Sequence, residues 1–330
     1  MMKSKALWHI TKNQTAIVET NLRPPTSNQL LIQSNYSLIS TGTERLVAQG
    51  KVPMGLHHKM SVPYMKGHFT FPLKYGYSVI GTVLSEGKWK GKLVHLMHPH
   101  QNYIVADLQS ITFLPEAISP RRAVLISNVE TAVNAIWDSQ VSMGDRVLVV
   151  GFGMIGSLVA RLLSFMPAVE VVISEQDAYR KKLATEMGFK ILETTSSFDY
   201  SFHTSGSSEG LQLCIDSVGK EGTIVELSWY GTKHSTISLG GDFHYQRKRI
   251  ISSQVGQIPT NKSHRWDYSR RKELVIKLLT NPVFEEHLTH DLSLERCPSF
   301  FQNLRENKQT DGLAWIINYG SLTNPVKKIK

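Results

Sequence analysis

The chain has 330 residues, 41% of them hydrophobic, a formal net charge of +10 and two cysteines. That length supports two domains with separate cores, and Cys214 and Cys297 alone cannot build a disulfide framework, which predicts a reducing, cytoplasmic setting. No apolar run approaches the ~18 residues of a membrane span, and the opening Met-Met-Lys-Ser-Lys-Ala-Leu-Trp-His lacks the apolar segment of a secretory signal, so neither a membrane partner nor export is expected.

In chain order, residues 1–119 carry short apolar runs broken by Gly, Pro and Asn, such as Leu30–Gln33 and Val79–Val83, which predict a mostly β domain with tight turns. The texture changes at Pro120. A helix is expected over Arg121–Trp137, with Val124, Leu125, Val133 and Ile136 apolar, and Met143-Gly144-Asp145 turns into the apolar strand Val147–Val150. Next come Gly151-Phe152-Gly153-Met154-Ile155-Gly156, a helix opening at Ser157–Ala160, and a second apolar run, Val169–Ser174, followed by Glu175. Helices and strands alternate to about Gly256, through Leu211–Asp216 and the strand Thr223–Leu227. This is the texture of an α/β fold with a doubly wound parallel sheet, a Rossmann domain over 120–256. After it come a Lys/Arg-rich loop, helices near Arg271–Leu279 and Pro298–Glu306, and a last strand at Leu313–Ile317.

The glycine run is a dinucleotide fingerprint in its proper context of strand before and helix after. Gly151 permits the sharp turn, Gly153 lets backbone approach a pyrophosphate, and Gly156 allows close packing of helix on strand. The helix N-terminus, which Met154 and Ile155 lead into, offers free N–H groups to phosphate. Glu175, nineteen residues beyond Gly156, is placed to accept from both ribose hydroxyls of NAD and to repel the 2′-phosphate of NADP. At ~4 Å and an effective dielectric near 20 that repulsion reaches roughly 4 kcal/mol. Arg180, with Lys181 and Lys182, either faces such a phosphate or forms a solvated helix face, so NAD is expected and NADP left open.

The basic excess gathers partly in Arg247-Lys248-Arg249, Arg270-Arg271-Lys272 and Lys327-Lys328-Ile329-Lys330. None of these interleaves with aromatics or forms a legible nucleic-acid module. No nucleic-acid partner is expected; the charge suits an anionic substrate or cofactor.

Val79-Ile80-Gly81-Thr82-Val83, Glu130-Thr131-Ala132-Val133 ahead of Gly144-Asp145-Arg146-Val147, and the fingerprint together resemble the medium-chain dehydrogenase/reductase superfamily across nearly the whole chain. The resemblance implies that residues 1–119 and a C-terminal return over 257–330 form a GroES-like catalytic domain, with the nicotinamide in a cleft beside the Rossmann domain. It also implies a homodimer, through an edge strand expected near Thr236–Leu239. Where zinc-dependent members carry their ligands, this chain has Thr41, Tyr77 and Ser127, and Ser78 replaces a neighbouring glutamate. Hydroxyls do not make a Zn²⁺ site, and with two cysteines no four-cysteine lobe exists, so no zinc is expected. Ser40–Leu46, His98-Pro99-His100-Gln101 and Glu226–Gly231 resemble the bacteriochlorophyllide dehydrogenase-like branch.

That similarity implies zinc-independent hydride transfer between NAD(H) and a secondary alcohol/ketone pair, with side chains handling the proton. The candidates are Tyr77, at a lost ligand position; His98 and His100, whose alternation around Pro99 would aim both imidazoles to one side; and Glu44. Thr131 corresponds to a nicotinamide contact, Glu130 neighbours it, and Gln254 lies in the segment beside the carboxamide. His57, His58 and His68 offer a polar rim, and Tyr36, Tyr64, Phe69, Trp229 and Tyr230 could line an apolar substrate site or merely pack. An NADPH-dependent alkene or quinone reductase and a non-catalytic nucleotide sensor are the competing readings.

Overall fold

A computed structural model describes residues 2–194, 197–308 and 311–320, so the basic tail 327–330 lies outside the described residues. The chain divides into two compact units. The first runs to Val124 and takes up the chain again at His290 and at Trp315; the second is Leu125–Thr289 with the stretch ending at Ala314.

The first unit begins with the antiparallel pair β1 (Lys3–Thr11) and β2 (Gln14–Asn21), then β3 (Gln29–Ile39) and the short helix α1 (Thr41–Ala48). It continues with β4 (Val79–Val83), β5 (Leu93–Leu96), β6 (Tyr103–Asp107), β7 (Thr112–Phe113) and α2 (Pro120–Ala123). The second unit contains α3 (Ile126–Ser139), β8 (Arg146–Val150), α4 (Met154–Leu163), β9 (Glu170–Ser174), α5 (Ala178–Glu186), β10 (Lys190–Ile191) and β11 (Phe198–His203). It goes on through α6 (Ser208–Ser217), β12 (Val218–Glu226), α7 (Asp242–Tyr245), β13 (Arg249–Ser252), α8 (Thr260–Ser263) and α9 (Tyr268–Leu278). The chain then returns to the first unit with β14 (His290–Ser293), α10 (Cys297–Arg305) and β15 (Trp315–Asn318).

In the first unit the strands run β14-β15-β3-β4-β5-β7, with β6 also on β3. Only β14 and β15 pair in parallel. Ile32, Val79, Val83, Val94, Leu96 and Ile104 form a core on this sheet, and Leu7, Ile39, Phe300, Phe301 and Ile317 form another under α10. The second unit is an all-parallel sheet in the order β10-β9-β8-β11-β12-β13. Its neighbouring strands β8 and β9 are nearly continuous apolar runs, as strands buried on both faces require. This is the doubly wound order 3-2-1-4-5-6, whose switch point falls between β8 and β11. No described helix is long and apolar enough to cross a membrane.

Four expectations change. The helix over Arg121–Trp137 is two helices, because the Ser78 hydroxyl donates to the Val124 carbonyl at 2.7 Å and Asn128 N–H turns to Leu125 instead. The unit boundary therefore falls at 124/125 rather than at 119/120. Residues 257–289 pack with the nucleotide-type unit, so the return begins at His290: Arg271, from one of the basic clusters, is 4% exposed and donates to Asn134 and Val255. Thr236–Leu239 is not a strand. Side chains hold it to α6, with Thr236 N–H on Ser208 and Ser238 N–H on Gln212, so the sheet edge there is β13.

Candidate functional site

In the second unit β8 ends at Val150 and Gly151 makes the turn with φ +97°, a left-handed conformation open to glycine. A Cβ at Gly156 would stand 2.0 Å from the Gly151 carbonyl oxygen, so no side chain fits there. A Cβ at Gly153 would meet nothing within 4 Å, leaving the backbone at the start of α4 approachable. Met154 and Ile155 open α4, whose apolar face buries Leu158, Val159 and Leu163.

Glu175 closes this end of the sheet. Its Oε2 accepts the Phe152 N–H at 2.6 Å, and its Oε1 accepts the N–H groups of Gln176 and Asp177 at 2.7 and 2.9 Å. A carboxylate has about four acceptor positions, so the group that fixes the glycine loop retains capacity for a further donor. Arg180 turns its Nε to the Gly312 carbonyl at 3.4 Å, and Lys181 and Lys182 are exposed, as a solvated helix face requires. Thr131 donates back to the Ser127 carbonyl at 3.2 Å. The Gln254 side chain accepts from Gly256 N–H at 2.6 Å, and its backbone carbonyl accepts from Asn134. Glu130 faces Arg271 at 3.4 Å rather than a histidine, and burial raises its carboxyl above the usual range.

In the first unit the loop after β5 brings His100 against α1. His100 Nε2 lies 2.9 Å from Glu44 Oε2, and Glu44 Oε1 reaches back to the Ser40 N–H at 2.9 Å. A carboxylate only accepts, so Nε2 carries the imidazole proton and Nδ1 accepts from the Ser37 hydroxyl at 2.8 Å. Ser37 in turn accepts from Tyr319 at 2.9 Å. Ser37, Glu44 and His100 are all fully buried. Burial pushes the Tyr77 hydroxyl up to about 12, against hydrogen bonding with Ser40 and Thr43, so it is a proton donor at neutral pH.

The two imidazoles do not share a side. His98 Nδ1 is held by the Pro99 carbonyl at 2.8 Å and its ring packs on Tyr64, whereas His100 turns to Ser37 and Glu44. The local carbonyl captures one ring and α1 the other. Burial lowers His98 to about 3, so it is neutral across the physiological range.

Other candidates have local partners. His57 packs on Phe69, and His58 lies near His68. The Tyr64 hydroxyl is tied to Asp107 and Ser110. Sequence reading missed Ser37 and Tyr319, which alternation and distance along the chain conceal. It also missed Lys74, which burial brings down to about 8 and which donates to Gln101 at 2.6 Å. In the second unit it missed the meeting of His203 with Glu226, for which the parallel pairing of two adjacent strand ends was the one usable signal.

No family model matches the chain. D-guloside 3-dehydrogenase of Escherichia coli K12 is 26% identical over 183 residues, 51% of this chain and 52% of that protein. The chain thus spans about half the length of the curated relatives it matches. An alcohol dehydrogenase from E. coli CFT073 complexed with NADH superposes with a TM-score of 0.73 at 17% identity, covering 96% of this chain and 99% of the other. S. aureus TarJ in complex with NADPH gives a TM-score of 0.70 at 14% identity, with coverage of 96% and 99%. At these identities the structures establish the shared fold. An uncharacterized zinc-type alcohol dehydrogenase-like protein of E. coli K12 is 27% identical over 175 residues, 48% of this chain and 49% of that protein.

Proposed function

We propose that the protein is an oxidoreductase that transfers hydride between NAD(H) and a secondary alcohol/ketone pair without zinc. The observation that carries this reading is the open glycine loop held by the Glu175 carboxylate at the C-terminal end of a parallel sheet. A bound nicotinamide would supply the hydride acceptor or donor. Gly151, Gly153, Gly156 and the start of α4 would hold the pyrophosphate and Glu175 the adenine ribose, with Thr131, Gln254 and Arg180 as further contacts.

The residues at the expected zinc positions do not fit that metal. Thr41, Tyr77 and Ser127 offer hydroxyls where Zn²⁺ takes thiolate, imidazole or carboxylate. Among the described residues no group of three or more His, Cys, Asp or Glu is placed to hold a metal. Proton handling is assigned to Tyr77, whose protonated hydroxyl can donate to a developing alkoxide, with Glu44 and His100 holding the adjoining backbone in place. His98, already donating to Pro99, is the weakest of the four candidates. A reducing, cytoplasmic location and a homodimer complete the proposal, and light scattering at several concentrations reads the latter.

The deciding experiment is titration with NADH and NADPH, followed by energy transfer from tryptophan to the reduced nicotinamide. NADH is expected to bind at least tenfold tighter, ~1.4 kcal/mol, and Glu175→Ala to erase that preference. Tighter NADPH binding would put the reductase reading first, and no binding of either nucleotide would overturn the assignment. With a turned-over substrate in hand, Tyr77→Phe is expected to lower kcat by about 100-fold while leaving the NADH Kd unchanged; wild-type kcat in that variant would remove Tyr77 from the chemistry.

A further inference from the structure

β11 ends at His203 and β12 at Glu226, and the parallel register sets these two residues side by side. His203 Nδ1 lies 2.9 and 2.8 Å from the two Glu226 oxygens. Its other nitrogen, Nε2, lies 2.8 Å from Ser205 Oγ. Glu226 also accepts the Ser228 N–H at 2.7 Å and the Tyr230 hydroxyl at 3.0 Å, so donors surround it. A carboxylate only accepts, which puts the imidazole proton on Nδ1 and leaves the Nε2 lone pair for the serine. The hydrogen bonds therefore run from Ser205 hydroxyl to His203, and from His203 to Glu226. That is the order of an activated serine: nucleophile, base, orienting carboxylate.

The Ser37–His100–Glu44 chain of the first unit has the same chemistry but is buried throughout. Here the base is fully buried and Ser205 is exposed, so this chain ends in solvent. The open end lies at the switch point of the sheet, where parallel α/β folds bind ligands; a Cβ on Gly151, at the tip of β8, would lie 2.8 Å from the Ser205 nitrogen. A second observation points the same way. Gly210 is the third residue of α6, in its first turn, where a Cβ is ordinarily tolerated. A Cβ there would stand 2.2 Å from Ser205 Oγ and 3.0 Å from His203 Nε2. The glycine keeps open the volume in which hydroxyl and imidazole meet.

We propose that Ser205, His203 and Glu226 form a second catalytic site, with Ser205 as a nucleophile toward small activated acyl esters. Ser205 Oγ bonds to the acyl carbon as its proton passes to His203 Nε2. The ester C–O bond breaks and the leaving alkoxide takes that proton. Water then attacks the acyl-serine, giving a proton to His203; the acyl–Oγ bond breaks, carboxylic acid leaves, and the proton returns to Ser205. The ten-residue α6 starts three residues after Ser205; Ser207 caps the Gly210 N–H at 3.0 Å, which leaves the Ser208 and Glu209 N–H groups of the first turn for the oxyanion. This relay is inferred without the nicotinamide reading, but its open end adjoins Gly151, to which that reading assigns the pyrophosphate, so the test uses nucleotide-free protein.

The test uses the full chain, a fluorophosphonate probe and p-nitrophenyl acetate. The expected result is one covalent adduct, mapped to Ser205 by peptide mass spectrometry, with a burst of p-nitrophenolate. Ser205→Ala should lose the adduct and at least ~100-fold of the hydrolysis. Gly210→Ala, which removes none of the three reacting side chains, should slow labelling about tenfold or more by displacing the hydroxyl from His203. An adduct elsewhere, or labelling and hydrolysis unchanged in a Ser205→Ala protein that melts at the wild-type temperature, overturns the proposal. So does a wild-type protein that neither labels nor shows the burst.

Discussion

Replacing Arg271 by leucine is expected to cost the fold about 3–5 kcal/mol, the usual penalty for breaking a buried ion pair from one side. The guanidinium is 4% exposed and serves three acceptors: Asn134 Oδ1 at 2.7 Å, the Val255 carbonyl at 2.8 Å and Glu130 Oε1 at 3.4 Å. Burial already raises the Glu130 carboxyl, while Lys272 and Arg271 oppose it. Without the guanidinium the carboxyl either ionises unpaired or takes up a proton at a free-energy cost. Substituting Glu130→Leu in the same chain should restore at least half of the loss, since the charge to be compensated is gone. Urea unfolding of wild type, Arg271→Leu and the double variant measures this. A single variant within 1 kcal/mol of wild type, or a double variant no better than the single, would remove this pair as the anchor of α9.

The second large effect is acid sensitivity. His9 and His98 are lowered to about 3 and His287 to about 4, in each case chiefly by burial. His9 is boxed in by the Arg305 guanidinium at 3.2 Å, the Thr15 hydroxyl at 2.9 Å and the edge of Phe301. The sign follows from where the protons bind. Below pH ~6.5 an unfolded chain protonates these imidazoles while the folded chain keeps them neutral. The stability they contribute is complete above that pH and is lost as pH falls toward the folded values of about 3 and 4. Three sites acting together give a slope of up to about 4 kcal/mol per pH unit between pH ~6 and ~4. Scanning calorimetry from pH 7.5 to 4.5 should show Tm falling steeply below pH 6, and His98→Gln should flatten the fall if that variant folds. A Tm unchanged between pH 7 and 5 would contradict the buried, neutral state of these rings.

The nucleotide-type unit was legible because backbone crowding dictates its residues. Gly156 is the one residue type that clears the Gly151 carbonyl, and Glu175 follows at the end of the next parallel strand. The runs Val79–Val83 and Val147–Val150 became strands for the same local reason, apolar alternation or continuity between turn residues. What escaped depends on partners distant in the chain. Val124 and Leu125 fit one helix until a serine from a β-strand entrance takes a carbonyl. Arg271 sits among basic neighbours in the chain, and its acceptors lie far from it, on α3 and after β13. The Pro turn makes His100 legible as a candidate, but its burial between Ser37 and Glu44 depends on β3 and α1, which spacing does not reveal.

The insertion of β15 between β14 and β3 bears on how the chain emerges during synthesis. Tyr36–Ile39 of β3 pair with β15, almost at the end of the described residues, while the whole of Leu125–Thr289 is translated in between. Until β15 appears, the far half of β3 presents free N–H and C=O groups beside Leu38 and Ile39, an apolar strand edge of the kind that captures other chains. The parallel sheet of the second unit has all its strands by then. Newly made protein would thus pass through a stage with one sheet complete and the other lacking both β15 and β14, which joins the sheet through β15, and that gap sets the interval during which the chain is open to mispairing.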